Sequence, residues 1–174
     1  LMYPQADIPV VQISLPSHQG PALQRRVGQA LTSLRAQGVL LIGSGSITHN
    51  LHDWGNYQDG KEAPYVRPFI GWVEQRLQDD DTAALLDYRA RAPHAAQAHP
   101  TDEHLQPLHV AMGAAGSDTL GAQRIDAGID AFQMPVEKAV RFLRQSEIII
   151  LAVQPVTHDN PRTRHIHLRD EALT

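Results

Sequence analysis

Short apolar runs alternate along the chain with longer stretches in which apolar residues recur at helical spacing. Residues 8–15 read as a buried strand, with Pro9 near its start, where a missing N–H is tolerated. Pro16 and the following S-H-Q-G-P end it. Residues 22–37 predict a helix. Leu23, Val27, Ala30, Leu31 and Leu34 fall on one face, and Arg25, Arg26, Gln29 and Arg35 fall elsewhere. Gly38 stands where a helix-ending glycine belongs. Residues 39–42, V-L-L-I, form the next strand. Strand, helix and strand with short connections predict a βαβ unit, with parallel strands and a right-handed crossover.

A polar loop follows at residues 51–64, long enough to be of the functional kind. Residues 65–77 predict a second helix whose stripe of Phe69, Trp72, Val73 and Leu77 suits core packing. Asp79, Asp80 and Asp81 make an acidic turn before a third helix, residues 82–91, and negative charge suits a helix start. Thr101 suits an N-cap, Asp102 and Glu103 a first turn, and Pro107 the first position of a helix reaching Ala115. Residues 123–129 form a further strand candidate, 136–144 a helix, 147–153 a β-branched strand and 155–174 a polar tail. The pattern is α/β, with a central, mostly parallel or mixed sheet flanked by helices.

Composition narrows the class. At 174 residues with 42% hydrophobic and 20% charged content, one soluble globular domain is expected. The net charge of −4 gives no polybasic footprint, so nucleic acid is not an expected partner. No apolar run approaches a membrane span, and no basic region followed by an apolar core opens the chain. A cytoplasmic protein without membrane contact is therefore expected. The absence of cysteine excludes disulfides, thiolate metal sites and a cysteine nucleophile.

The candidate chemistry rests on histidine, of which there are ten. In V-L-L-I-G-S-G-S-I-T-H-N, residues 39–50, an apolar strand runs into a Gly/Ser turn, and His49 follows. Ligands bind beyond the carboxyl ends of strands in open α/β sheets. Histidine is the side chain that most readily exchanges a proton near neutral pH. His49 is thus placed as a catalytic base, or else as a loop-packing histidine. His99, His104 and His109 recur every fifth residue, so consecutive members do not share a helix face. The three cannot all point into one site, and the bland reading of each is a helix-terminal hydrogen bond. His165-Ile166-His167 has the spacing of a strand-borne metal pair but lacks a third ligand nearby in sequence, and is not expected to bind metal. Gly43-Ser44-Gly45 lacks the third glycine of a dinucleotide fingerprint and any phosphate-loop lysine.

Taken together, Y-P-Q-A-D-I-P-V-V-Q-I-S-L, G-S-G-S-I-T-H-N-L and H-P-T-D-E-H-L-Q-P-L-H-V-A-M-G-A-A-G resemble the C-terminal half of the class III extradiol ring-cleaving dioxygenases. The likeness is to the 4,5-DOPA dioxygenase-like branch, related to the catalytic subunit of protocatechuate 4,5-dioxygenase. It covers residues 1–130, here a partial α/β domain, and leaves 131–174 as a divergent C-terminal segment. The resemblance implies insertion of O2 into a small catecholic ring beside its two hydroxyls, at a non-haem Fe(II). Some relatives hold zinc in the same site. His49, in the G-S-G-S-x-x-H-N motif, matches the family's acid/base. His104, in P-T-x-E-H-x-x-P-L, matches the third metal ligand, and Asn50 would help to orient the base. His99 is expected to take no part.

The residue types suit that chemistry. Two catechol oxygens and O2 must share one metal, so the protein can occupy only one face of it. A neighbouring base must remove the second phenolic proton, and an acid must assist ring opening; one histidine can do both. The family's other two metal-binding histidines belong to its N-terminal half, and His18 and His52 do not match them. Two further readings therefore stand beside the enzyme. One is an inactive half-fold acting as a structural or interaction protein, self-associating through an open sheet edge. The other is a zinc-binding member that cleaves no ring.

Overall fold

The computed structural model describes residues 5, 9–16, 18–53, 56–57, 62–116, 150–153 and 165–166. Its first part follows the expected alternation: β1 (Val10–Ile13), α1 (Gly20–Arg35) and β2 (Leu40–Gly43). A 3-10 turn, Leu51–Asp53, opens the polar loop. Then come α2 (Val66–Gln78), α3 (Thr82–Leu86), α4 (Tyr88–Arg91), α5 (Ala95–Ala98) and α6 (Gln106–Ala115). β3 (Ile150–Val153) and β4 (His165–Ile166) complete the described strands. The expected strand 123–129 and helix 136–144 lie outside the described residues. The expected polar tail contains β4.

Helices and a few strands make an α/β arrangement in which every described strand pairing is parallel. The strand order is β2-β3-β1-β4. β3 meets β1 at Val10↔Ile150 and β2 at Leu40↔Ile150. β1 and β2 thus run in the same direction, as a βαβ unit requires, but with β3 between them. The crossover helix leaves room for this. A helix with its side chains is about 10 Å wide, roughly two strand spacings.

The ends of α1 follow their residues. Pro21 lies in its first turn, where the missing N–H costs nothing. Gly38 takes a left-handed φ of 79°, and the Gly38 and Val39 N–H groups reach back to Arg35 O (3.1 Å) and Leu34 O (3.1 Å). That bond pair closes the helix. The buried face differs from the expected one. Gln24, Val27, Gly28 and Leu31 are inside, whereas Ala30 is exposed. An apolar reading passes over a glutamine and a glycine, although both are buried here.

Among the described residues, two clusters form the core. One joins Ile13, Val27, Leu31 and Val110 beneath β1 and α1. The other gathers Tyr65, Phe69, Val73, Leu85, Tyr88, Ala98 and Leu105 from α2 to α5 and the entry to α6. Phe69 and Val73 are its floor, with Trp72 and Leu77 packed alongside, as the stripe predicted. Asp81 caps α3, accepting from the Ala84 N–H at 3.0 Å. The expected helix 82–91 is interrupted at Asp87, whose φ of −105° and ψ of 25° leave helical geometry.

α6 lies between the clusters and meets α1 backbone to backbone. A Cβ on Gly28 would overlap the Val110 carbonyl, and one on Gly113 would overlap the Arg25 carbonyl. Each glycine is therefore the condition for the other helix's approach. Arg35 adds a bond from Nη1 to Ala115 O, 2.6 Å, at the end of α6. Gly28→Ala should force the helices apart and destabilise the fold by about 1–3 kcal/mol, the usual range for overpacking. Urea unfolding would measure it, and an unchanged midpoint would show that the backbones can part without cost.

Candidate active site

β2 delivers the chain at Gly43 into the turn that carries His49, and that turn is laced to the segment before α6. The Ser46 N–H donates to His104 O (2.9 Å), and the His49 N–H donates to Ala98 O (2.8 Å). His99 Nε2 lies 2.6 Å from Ile47 O. Asn50 Nδ2 donates to Gln97 O at 2.8 Å. Gly45 lies so close to the His104 carbonyl that any Cβ there would collide with it. The glycines of G-S-G-S thus serve close packing, since a Cβ on Gly43 would likewise meet the Pro107 carbonyl.

This lacing brings the rings of His49 and His104 face to face, with centroids 3.5 Å apart and planes inclined by 15°. Both residues are half-buried. Burial, and then the neighbouring His49, lower the pKa of His104, with Glu103 opposing. Glu103 Oε1 lies 4.0 Å from His104 Nε2 and accepts from Thr101 Oγ1 at 2.7 Å. Burial raises the Glu103 pKa, but the Thr101 bond helps to bring it below the usual carboxylate range. Thr101 does not cap α6, which begins only at Gln106, with Pro107 in its first turn. The intervening turn lets Asp102 face inward instead. It accepts from Tyr88 Oη (2.8 Å) and Arg89 Nη1 (3.0 Å), while Arg89 also binds the carbonyls of His99 and Pro100.

The other predicted residues are placed as follows. Asn50 spans the turn: besides Gln97 O, its Nδ2 reaches Asp53 Oδ2 (3.1 Å), and its Oδ1 accepts from the His52 N–H (3.0 Å). Tyr65 lies against Asp53, and burial followed by that carboxylate pushes its phenol up to about 12. His18 and His52 are exposed. His99 and His109 are fully buried. Burial pushes both imidazoles down, His109 to about 4. His109 stacks on Tyr88 with centroids 5.9 Å apart, and neither of its nitrogens has a hydrogen-bond partner among the described residues. The bonds of His99 and Asp102 were not foreseeable from spacing. Each reaches across a fold that a linear pattern does not contain.

A family model described as the catalytic LigB subunit of aromatic ring-opening dioxygenase matches residues 1–136. The chain belongs to this family. It is 45% identical over 119 residues to a 4,5-DOPA dioxygenase extradiol of Beta vulgaris, covering 68% of this chain and 44% of that one. It is 41% identical over 117 residues to one of Portulaca grandiflora, covering 67% and 43%. With one of Escherichia coli (strain K12) the identity is 32% over 119 residues, covering 65% and 42%. The chain thus spans less than half the length of these relatives.

Extradiol chemistry in a LigB-family protein calls for a metal, so the donors matter. Among the described residues, no three His, Asp or Glu side chains come together to hold one. The stacked pair compounds this, because lone pairs in nearly parallel planes do not converge on a single ion. These residues alone therefore do not fit a three-donor iron site. No described helix is long and apolar enough to cross a membrane.

The buried histidines have a consequence for stability. A folded pKa held below the unfolded value means that the unfolded chain binds more protons between the two. Stability is then full above about pH 6.5 and falls toward pH 4. For His109 the loss amounts to about 3 kcal/mol. His109→Phe should flatten the fall of denaturation free energy between pH 6.5 and 4. An equally steep fall in the variant would remove His109 from acid sensitivity.

Proposed function

We propose that this chain forms part of an extradiol dioxygenase that opens a small catecholic ring with O2, with His49 as the acid/base and His104 as one ligand of a non-haem Fe(II). The observation that carries the reading is the juxtaposition of those two imidazoles, contributed by two motifs far apart in sequence. The family membership and the relatives named as 4,5-DOPA dioxygenases support the reaction class. Zinc is an alternative occupant, since imidazole suits either metal. The remaining ligands would come from outside the described residues.

His49 is suited to its role. Its backbone is fixed by the bond to Ala98, yet no described group bonds its ring nitrogens, so the ring can accept a proton from a phenol and return it during ring opening. Stacking against His104 would keep it beside the metal without occupying a second coordination position. Asn50 holds the backbone of the turn, which would fix the direction of the neighbouring base. We assign residues 1–130 to the catalytic domain and 131–174 to a divergent segment that lends β3 and β4 to the same sheet. We further place the protein in the cytoplasm, with self-association through the sheet edge and no nucleic-acid or membrane partner.

The test uses protein expressed from the complete reading frame and loaded anaerobically with Fe(II). A catechol and O2 should give a yellow ring-opened product. His49→Ala should lower kcat by about 10²–10⁴ with metal content retained. His104→Ala should lower metal occupancy as well as turnover. Wild-type turnover in the first variant, or unchanged iron in the second by elemental analysis, would withdraw that residue's role. The 174 residues alone should bind Fe(II) only weakly in a calorimetric titration, because one donor cannot offset the ordering of a site. Tight one-to-one binding would instead mean that histidines excluded above assemble a site.

A further inference from the structure

We propose that His99 is a positioning residue, whose Nε2–H, donated to the Ile47 carbonyl, sets the turn that aims the His49 ring at His104. The inference rests on the reading of His49 as acid/base and adds the group that holds it in place. The Ile47 carbonyl can only accept, so the 2.6 Å contact puts the proton of His99 on Nε2 and leaves Nδ1 bare. That bare nitrogen is buried, with no partner among the described residues. Leaving a polar atom in that state is costly, whereas a phenyl ring would fill the same slot without the cost.

The slot itself is rigid. His99 is 0% exposed, with its ring tilted against Phe69 (5.7 Å between centroids) and edge-on to Tyr88 (6.5 Å). Its backbone carbonyl is held by Arg89. Ring and backbone are both fixed, so the direction of Nε2–H is fixed too. The bond lands two residues before His49, whose own N–H is tied to Ala98, the neighbour of His99. These two bonds enclose the backbone from 47 to 49 and fix the direction in which the His49 side chain leaves it. This proposal departs from the expectation that His99 takes no part.

The test compares His99→Phe, which keeps the ring and loses the donor, with His99→Gln, which keeps a donor N–H, in the 15N-labelled 174-residue chain. Circular dichroism reports folding. Amide hydrogen exchange at His49 and long-range proton–nitrogen spectra of the imidazoles report the turn. In His99→Phe, exchange at His49 should accelerate about tenfold, the equivalent of one lost hydrogen bond. The His49 and His104 ring shifts should move as the stack loosens, and His99→Gln should restore both signals. Unchanged exchange and shifts in a folded His99→Phe would overturn the proposal. Two variants behaving alike, whether both altered or both unfolded, would also overturn it, because packing rather than the N–H would then be what counts. None of these readouts depends on turnover, so the proposal can fail while the His49→Ala test of catalysis succeeds, and the reverse.

Discussion

The site depends on a run of hydrogen bonds between a turn and a segment that lie far apart in sequence. Reading along the turn, residues 46, 47, 49 and 50 meet 104, 99, 98 and 97, so the two pieces run antiparallel without forming a sheet. His99 and Ile47 are 52 residues apart. Closing such a loop costs entropy, but the cost grows only with the logarithm of its length. The lacing puts that cost into one small region. The helices between the two pieces, α2 to α4, are folded back to let them meet.

α6 translates that constraint to the rest of the molecule. Its first residues adjoin His104, and its later ones lie on α1 with glycine facing backbone at Gly28 and Gly113. Gln24 joins the two helices inside the contact, donating to Pro16 O (2.8 Å) and to Gln106 Oε1 (3.3 Å). The turn after β1, the crossover helix and the helix that follows His104 are thereby fastened at one point. Asp102 performs the same service on the opposite side, where Tyr88 and Arg89 converge on it.

Much of this was legible in the sequence. The α1 and α2 boundaries shift by only a residue or two, because amphipathic spacing and the Gly38 stop are local signals. The α/β class and the common direction of β1 and β2 followed from the order of elements. The two histidines proposed for the site were singled out by their motifs, although no linear pattern foretells ring stacking. What the pattern left out in burial shares a cause. Gln24, Gly28 and His99 are buried for the sake of partners on other elements, and hydrophobicity along the chain carries no record of such partners. Ala30 erred in the other direction, an apolar residue that helix geometry leaves in water. Just past the break at Asp87, Tyr88 and Arg89 reach Asp102, a tertiary contact that the local pattern does not contain, whereas α6 starts where Pro107 had placed it.

The glycine contact between α1 and α6 also decides where the site can give. Helices that meet through side chains can slide or separate slightly as rotamers readjust. Helices that meet through backbone have no such slack. On the α1 side, the wall behind His104 is therefore stiff. On the other side, α6 and its approach rest on Leu105 and on the aromatic and aliphatic side chains of α2 to α5, which pack through adjustable groups. Any shift of α6 would therefore have to carry α1 with it, so the two helices move as one body behind the residues that lead into α6.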